Sequence, residues 1–250
     1  MNGLILDNLA AAYGSSPILR HIRLSVGAGD RVAVFGTNGA GKSTLLGAVA
    51  GTVRTVSGTI RYNGIPLSNM PVHDRLALGI GYLPQRGSLF PSLTVEENLI
   101  AAGCLRGEGR AGRRRRLAAA YGVFPAVLRN RQRPAGALSG GQQQQVAMAK
   151  VWMQDPSLIL LDEPSAGLSA DWMDPVRNTI GALCAGSRAM LMVEQNVAFA
   201  LALCTRVCFL DFGRIVFDGT PAQWRNNRFS KTLLWGDLGH AETKRSQKAS

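Results

Sequence analysis

Residues 36–43 read Gly-Thr-Asn-Gly-Ala-Gly-Lys-Ser, after an apolar strand at 31–35 and running into a helix at 42–50. Few folds accommodate that order. An apolar strand that ends on a glycine-rich loop, which then opens a helix, reads as a cradle for the phosphates of a nucleotide. Gly36, Gly39 and Gly41 let backbone N–H groups turn toward phosphate with no Cβ in the way. The helix that begins near Lys42 adds the positive end of its dipole. Lys42 reaches the β- and γ-phosphates as a mobile point charge, and Ser43 is placed to ligate Mg²⁺. Thr37, Asn38, Ala40 and Thr44 complete the phosphate-binding segment.

Two strings farther along the chain refine this reading. Residues 158–161 are uniformly apolar, as a strand buried in a parallel sheet demands, and they deliver Asp162 and Glu163 to the sheet edge. Asp162 suits Mg²⁺ through water, because that ion takes few protein ligands. Glu163 is then the candidate that polarises an attacking water. The second string, Leu138-Ser139-Gly140-Gly141-Gln142, opens a helix whose glycines allow close backbone approach to an anion. A chain with one phosphate cradle has no evident need of another on the same nucleotide. A dimer solves this: Ser139, Gly140, Gly141 and Gln142 of each chain cover the nucleotide of the other.

The three strings, in this order and spacing, resemble the ATP-binding-cassette (ABC) ATPases, the motors of membrane transporters. The resemblance covers about residues 3–238. It implies an α/β fold, the P-loop NTPase cassette with a mixed sheet core, together with ATP and Mg²⁺ as cofactors. The expected organisation is one ATP-binding domain over 1–238, with a helical lobe inserted at about 87–155 and a polar tail at 239–250. The resemblance also implies roles for three further residues. Tyr13 falls where the family stacks an aromatic on adenine, and Gln85 where it places a glutamine that senses Mg²⁺ and water. Gln195 occupies the position usually held by a histidine that contacts the γ-phosphate, which makes it a second catalytic candidate beside Glu163.

Three strings look like one branch, the smaller ATPase of the branched-chain amino-acid importers. They are Phe90-Pro91-Ser92-Leu93-Thr94-Val95-Glu96-Glu97-Asn98-Leu99, Glu163-Pro164-Ser165-Ala166-Gly167-Leu168-Ser169 and Val193-Glu194-Gln195-Asn196. Urea and short-chain amide importers share much of the pattern. The lipopolysaccharide-export ATPase shares Gly79-Ile80-Gly81-Tyr82-Leu83-Pro84-Gln85 but normally carries histidine at the switch. The importer branch implies membrane-embedded permease subunits, a second ATPase subunit and a periplasmic substrate-binding protein as partners. It implies a place at the cytoplasmic face of the inner membrane. Departures exist: Gln145 and Lys150 stand where many relatives have arginine, and Ser169 where many have aspartate.

Local signals fill in the rest. Residues 3–9, 18–26, 59–62, 80–83 and 189–193 read as strands, and 207–210 with 214–217 as a hairpin around Asp211-Phe212-Gly213. Thr94 with Glu97 three residues on reads as a capping box. Residues 171–185 and 197–203 read as helices. Hydrophobic residues make up 46% of the chain, enough for a real core, and no run approaches the ~18 apolar residues of a membrane span. The start Met1-Asn2-Gly3-Leu4 lacks the basic flank of a signal peptide.

The net charge of +12 is concentrated at 106–116, 129–133 and 225–250. These runs lack the interleaved aromatics of a single-strand platform, so nucleic acid is the disfavoured partner, behind a plain solvated surface and attraction to anionic lipid near a membrane partner. A soluble ABC protein acting on nucleic acid would moreover join two cassettes or insert a long coiled coil. The apolar surroundings of Cys204 and Cys208 favour buried thiols.

Overall fold

The computed structural model describes residues 3–13, 16–104 and 109–230, with the side chain of Tyr13 outside the described set. The expected tail at 239–250 also lies outside it. The chain opens with β1 (Gly3–Tyr13), β2 (Ser16–Gly27), β3 (Arg31–Gly36) and α1 (Lys42–Ala50). Strands β4 (Arg54–Tyr62) and β5 (Ile65–Pro66), helix α2 (Val72–Ala77) and strand β6 (Ile80–Leu83) follow. Helices α3 (Val95–Gly103), α4 (Arg110–Val123), α5 (Pro125–Arg129) and α6 (Gly140–Met153) come next. Then β7 (Leu158–Asp162), α7 (Ala170–Leu183), β8 (Ala189–Val193) and α8 (Val197–Leu201) alternate, before the hairpin β9 (Arg206–Asp211) and β10 (Arg214–Gly219) and helix α9 (Pro221–Arg225).

The strands form two sheets. One is antiparallel, in the order β2-β1-β4-β5; the other runs β10-β9-β3-β8-β7-β6. In the second sheet, β6, β7, β8, β3 and β9 are parallel neighbours and β10 pairs antiparallel with β9, so the expected mixed core is present. Side chains alternate across a strand, and here the alternation sorts the core into two layers. Val32, Val34, Leu158, Leu160, Leu191 and Leu210 face α1 and the antiparallel sheet. Ala33, Phe35, Ile159, Leu161, Met190 and Phe209 face the opposite way, onto α7 and Trp224 of α9. Two positions along β7 from Leu160, Asp162 falls on the α1 side.

Between β6 and β7 the helices α3 to α6 build an apolar cluster of their own, including Val95, Leu99, Phe124, Val127, Val146 and Met153. Helix α6 joins it to the sheet, because Ala147, Met148 and Val151 on another face belong to the sheet core. The capping box is present: Glu97 N–H donates to Thr94 Oγ1 at 3.2 Å and Thr94 N–H to Glu97 Oε2 at 2.8 Å. The Thr94 N–H and the Thr94 hydroxyl, which donates to the same Oε2 at 2.8 Å, hold the Glu97 carboxylate below its ordinary pKa.

Several elements exceed their sequence expectation. β1 and β2 run longer than 3–9 and 18–26, and β4 begins at Arg54 rather than 59. Bulges explain the difference. The β1–β4 register shifts between Asp7 and Ala10, where Asn8 (φ 49°) lies against Gly58 (φ 80°) and breaks the period-2 pattern. Cys184, Cys204 and Cys208 are buried and Cys104 is exposed. Burial pushes the Cys208 thiol up to about 12, which makes it an inert core group.

Candidate active site

The phosphate loop is shaped by its neighbours as much as by its own sequence. Gly39 (φ 80°) and Gly41 (φ 103°) occupy the left-handed region, which a Cβ disfavours. At Gly39 an added Cβ would meet nothing, so this position is open to close approach. Gly36 serves a different purpose: a Cβ there would stand 2.4 Å from Leu210 O of β9. The glycine is demanded by strand packing, and its φ is not in the left-handed region. Helix α1 starts at Lys42, so the N–H groups of Lys42, Ser43 and Thr44 lack intrahelical acceptors.

Lys42 is 6% exposed, and its Nζ donates to Gly36 O at 2.9 Å and Thr37 O at 3.1 Å. An ammonium has three protons, so the two carbonyls fix the group and leave one donor for an external anion. Burial lowers the Lys42 pKa, and the carboxylates of Glu163, Asp162 and Glu194 oppose that shift. Asp162 is 4% exposed, accepts from Ser43 Oγ at 3.0 Å and is approached by the Tyr82 hydroxyl at 3.4 Å. Burial raises its pKa, with the Ser43 bond pulling the other way. One hydroxyl and one carboxylate form the donor set that fits Mg²⁺, which is held by few side chains plus substrate phosphates rather than by an all-protein cage.

Glu163 breaks the pleat. Continued extension would point it away from α1, but at φ 47° the chain turns instead, a cost of the order of 1–3 kcal/mol for a non-glycine residue. Its N–H still donates to Val193 O at 3.0 Å, extending the β7–β8 ladder by one bond. The carboxylate lies between two amides. Gln85 Nε2 donates to Oε2 at 2.6 Å and Gln195 Nε2 to Oε1 at 2.6 Å. Gln85, Glu163 and Gln195 line a cavity of about 340 Å³ together with Asn38, Gly39, Gly41, Lys42, Ser43 and Thr44. Loop, acid and both glutamines, read from separate parts of the sequence, therefore meet at one place.

Glu194, to which no motif in the sequence assigns a role, organises this meeting. It is 2% exposed and accepts from Ser165 N at 2.8 Å, Gln195 N at 2.8 Å and Asn196 N at 3.0 Å. One carboxylate thus ties the turn after Glu163 to the turn that carries Gln195. The signal was available, since an acid directly after the apolar run 189–193 has to find donors. Ile18 of β2, which also lines the cavity, carried no such signal.

The string Ser139–Gln142 does not line this cavity. Ser139 and Gly140 are exposed at the start of α6, and a Cβ on Gly140 would meet nothing within 4 Å. Gly141 differs, because a Cβ there would fall 2.1 Å from the Trp172 ring of α7. Its glycine serves helix packing. Gln142 Oε1 accepts from Ser139 N at 3.1 Å, and Gln144 Nε2 reaches Pro164 O at 3.0 Å, linking α6 to the turn after Glu163. The adenine-stacking expectation for Tyr13 concerns a side chain outside the described residues.

Residues 19–166 match the ABC transporter family. The chain is 35% identical over 237 residues to the lipopolysaccharide export system ATP-binding protein LptB of Haemophilus influenzae, covering 95% of this chain and 98% of that protein. It is 37% identical over 229 residues to the probable branched-chain amino acid transport ATP-binding protein LivF of Archaeoglobus fulgidus, covering 90% and 96%. Among solved structures, an ATP-binding subunit of an ABC transporter superposes with a TM-score of 0.78 at 28% identity, over 90% of this chain and 92% of that one. A cassette solved in its ADP conformation reaches a TM-score of 0.81 at 23% identity, over 94% and 99%, a likeness of fold. With its phosphate loop and Glu163 on one cavity, the chain belongs to the ABC transporter family and is an ATP-hydrolysing subunit of such a transporter.

Proposed function

We propose that this ATPase drives import of branched-chain amino acids, and that the Glu163 carboxylate held between Gln85 and Gln195 is its catalytic base. That two-amide clamp carries the reading of the mechanism. Glu163 accepts the proton of the attacking water, while the two amides fix the carboxylate's orientation. Lys42 and the first N–H groups of α1 hold the β- and γ-phosphates, with Gly36, Thr37, Asn38, Gly39, Ala40, Gly41, Ser43 and Thr44 forming the cradle. Asp162, Ser43 and Gln85 hold Mg²⁺, which neutralises charge on the phosphate oxygens. Tyr13 stacks on adenine.

Ser139 to Gln142 serve the nucleotide of a second ATPase subunit. The exposure of Ser139 and Gly140, outside the chain's own cavity, supports this division of labour. Membrane-embedded permease subunits dock on the 87–155 lobe. A cleft of about 270 Å³ between Gln85–Pro91 and the start of α6 supports that site, with Phe90 half-exposed beside it. The protein sits at the cytoplasmic face of the inner membrane, and among the described residues no helix is long and apolar enough to cross one. A periplasmic substrate-binding protein completes the importer.

Gln195 supports import over lipopolysaccharide export, whose ATPase normally has histidine at this position. A strain lacking this chain should lose uptake of labelled leucine, isoleucine and valine. Wild type should restore uptake and Glu163→Gln should not. Normal uptake accompanied by a lipopolysaccharide defect at the cell surface would reassign the cargo to export.

Gln195 gives a sharper test of the site. An amide donates but cannot become cationic as imidazole can. Gln195→His keeps a donor and should hydrolyse ATP within a few-fold of wild type. Gln195→Ala frees one carboxylate oxygen and removes the donor, which should slow single-turnover hydrolysis by about 10²-fold. Equal rates for all three would remove Gln195 from the site.

A further inference from the structure

Helix α4 carries its charge at the wrong end for stability. It reads Arg-Ala-Gly-Arg-Arg-Arg-Arg-Leu over 110–117, with no acidic residue in its first turn and no side-chain cap at Gly109. Cations oppose the helix dipole there, and charges selected to support the helix would sit in its last turn. Among the described residues, Arg116 pairs with Asp155 at 3.5 Å, a carboxylate that Arg188 also meets at 2.8 Å.

One face of α4 also leaves room beneath its arginines. Gly112, Arg115, Arg116 and Ala119 recur at helical spacing on one side, and with Gly109 and Trp152 they line a cavity of about 630 Å³. The small residues at 112 and 119 open the space. Trp152 of α6 packs edge-on against Phe124 at 6.1 Å, which fixes the aromatic wall. Two guanidinium groups beside an aromatic and a methyl group suit an anion joined to an apolar body. Guanidinium groups bind phosphate oxygens in fork geometry, and Trp favours surfaces where water meets lipid.

We propose that this arginine-walled cavity on α4 takes the phosphate headgroup of an anionic membrane lipid. The phosphodiester meets Arg115 and Arg116, and the glycerol end lies against Ala119 and Trp152. This rests on the peripheral membrane location proposed above. Vesicle binding tests it without ATP turnover or cargo, so failure here is distinguishable from failure of the importer reading.

The experiment is co-sedimentation of the full chain with phosphatidylcholine vesicles, with or without phosphatidylglycerol, at physiological salt. Binding should require phosphatidylglycerol. Arg115→Gln should weaken it about fivefold, the worth of one basic contact at a lipid surface. Ala119→Leu should weaken it comparably while keeping every charge, because leucine fills the cavity. Arg23→Gln, on the exposed face of β2, removes the same charge and should leave binding unchanged; thermal melting confirms that each variant is folded. An equal loss in Arg23→Gln, or no loss in Ala119→Leu, overturns the site in favour of diffuse attraction. Release by inorganic phosphate at matched ionic strength overturns the lipid as its occupant. Duplex DNA binding that exceeds vesicle binding and weakens in the same two variants assigns the cavity to nucleic acid instead.

Discussion

Glu163→Gln is expected to bind ATP with near wild-type affinity and to lose about 10²–10⁴-fold in hydrolysis, the range typical of a removed general base. The affinity expectation follows from geometry. The carboxylate lines the cavity between Gln85 and Gln195, while Lys42, Ser43 and Thr44 line it from the start of α1. An amide of the same shape leaves the phosphate-holding groups of α1 in place and removes a like charge on the cavity. It cannot accept a proton from water at neutral pH. One of its atoms also becomes a donor that confronts a neighbouring amide, so Gln85 or Gln195 has to turn. The ATP-bound dimer should therefore accumulate. Nucleotide affinity by fluorescence titration, phosphate release in steady state and dimer content by gel filtration give the three readings. Hydrolysis within a few-fold of wild type would move the base to another residue.

What the sequence made legible and what it did not divide along physical lines. Patterns that sit on one element could be read from order alone. The buried run 158–161, the helix opening at Lys42 and the Thr94–Glu97 cap each express a local periodicity or a local hydrogen bond. The four-stranded sheet was only half legible, because the bulges at Asn8 and Gly58 displace its alternation partway along β1 and β4. Helix α9 went unread for lack of length, although Thr220 and Pro221 mark its start; it exists to wedge Trp224 against Phe35 and Phe209. The glycines show the deeper limit. Gly36, Gly39 and Gly141 look alike in a motif, yet one answers to Leu210, one to open space and one to Trp172. Only partners far along the chain distinguish them. The same holds for Glu194, whose donors come from two turns that topology alone brings together.

Replacing Arg75 by alanine is expected to destabilise the protein by about 3 kcal/mol, roughly 1 kcal/mol for each of the carbonyls of Ala48, Val49 and Met70, whereas Leu67 O also accepts from Met70 N at 3.1 Å and keeps a donor. Arg75 is 5% exposed, and among the described residues its hydrogen bonds go to backbone carbonyls. Nε donates to Met70 O at 3.0 Å, Nη2 to Leu67 O at 2.7 Å, and Nη1 to Ala48 O at 2.7 Å and Val49 O at 2.8 Å. Ala48 and Val49 lie in the last turn of α1, whose carbonyls have no intrahelical donors, and a cation there also meets the negative end of the dipole. Gly51, at φ 90°, makes the space, since a Cβ would stand 2.8 Å from Arg75 Nε. The same helix begins with Lys42, so this guanidinium anchors the far end of the element that carries the phosphate loop. Burial lowers the Arg75 pKa, but a guanidinium stays protonated at any pH the fold survives, so the effect should not vary across neutral pH. Arg75→Lys offers one compact ammonium in place of a planar fork and should recover about half the loss. Urea unfolding of the three proteins, read by the shift in midpoint at unchanged slope, gives the measurement. A loss under about 1 kcal/mol in Arg75→Ala would mean that water reaches these carbonyls and that α1 is held by apolar packing alone.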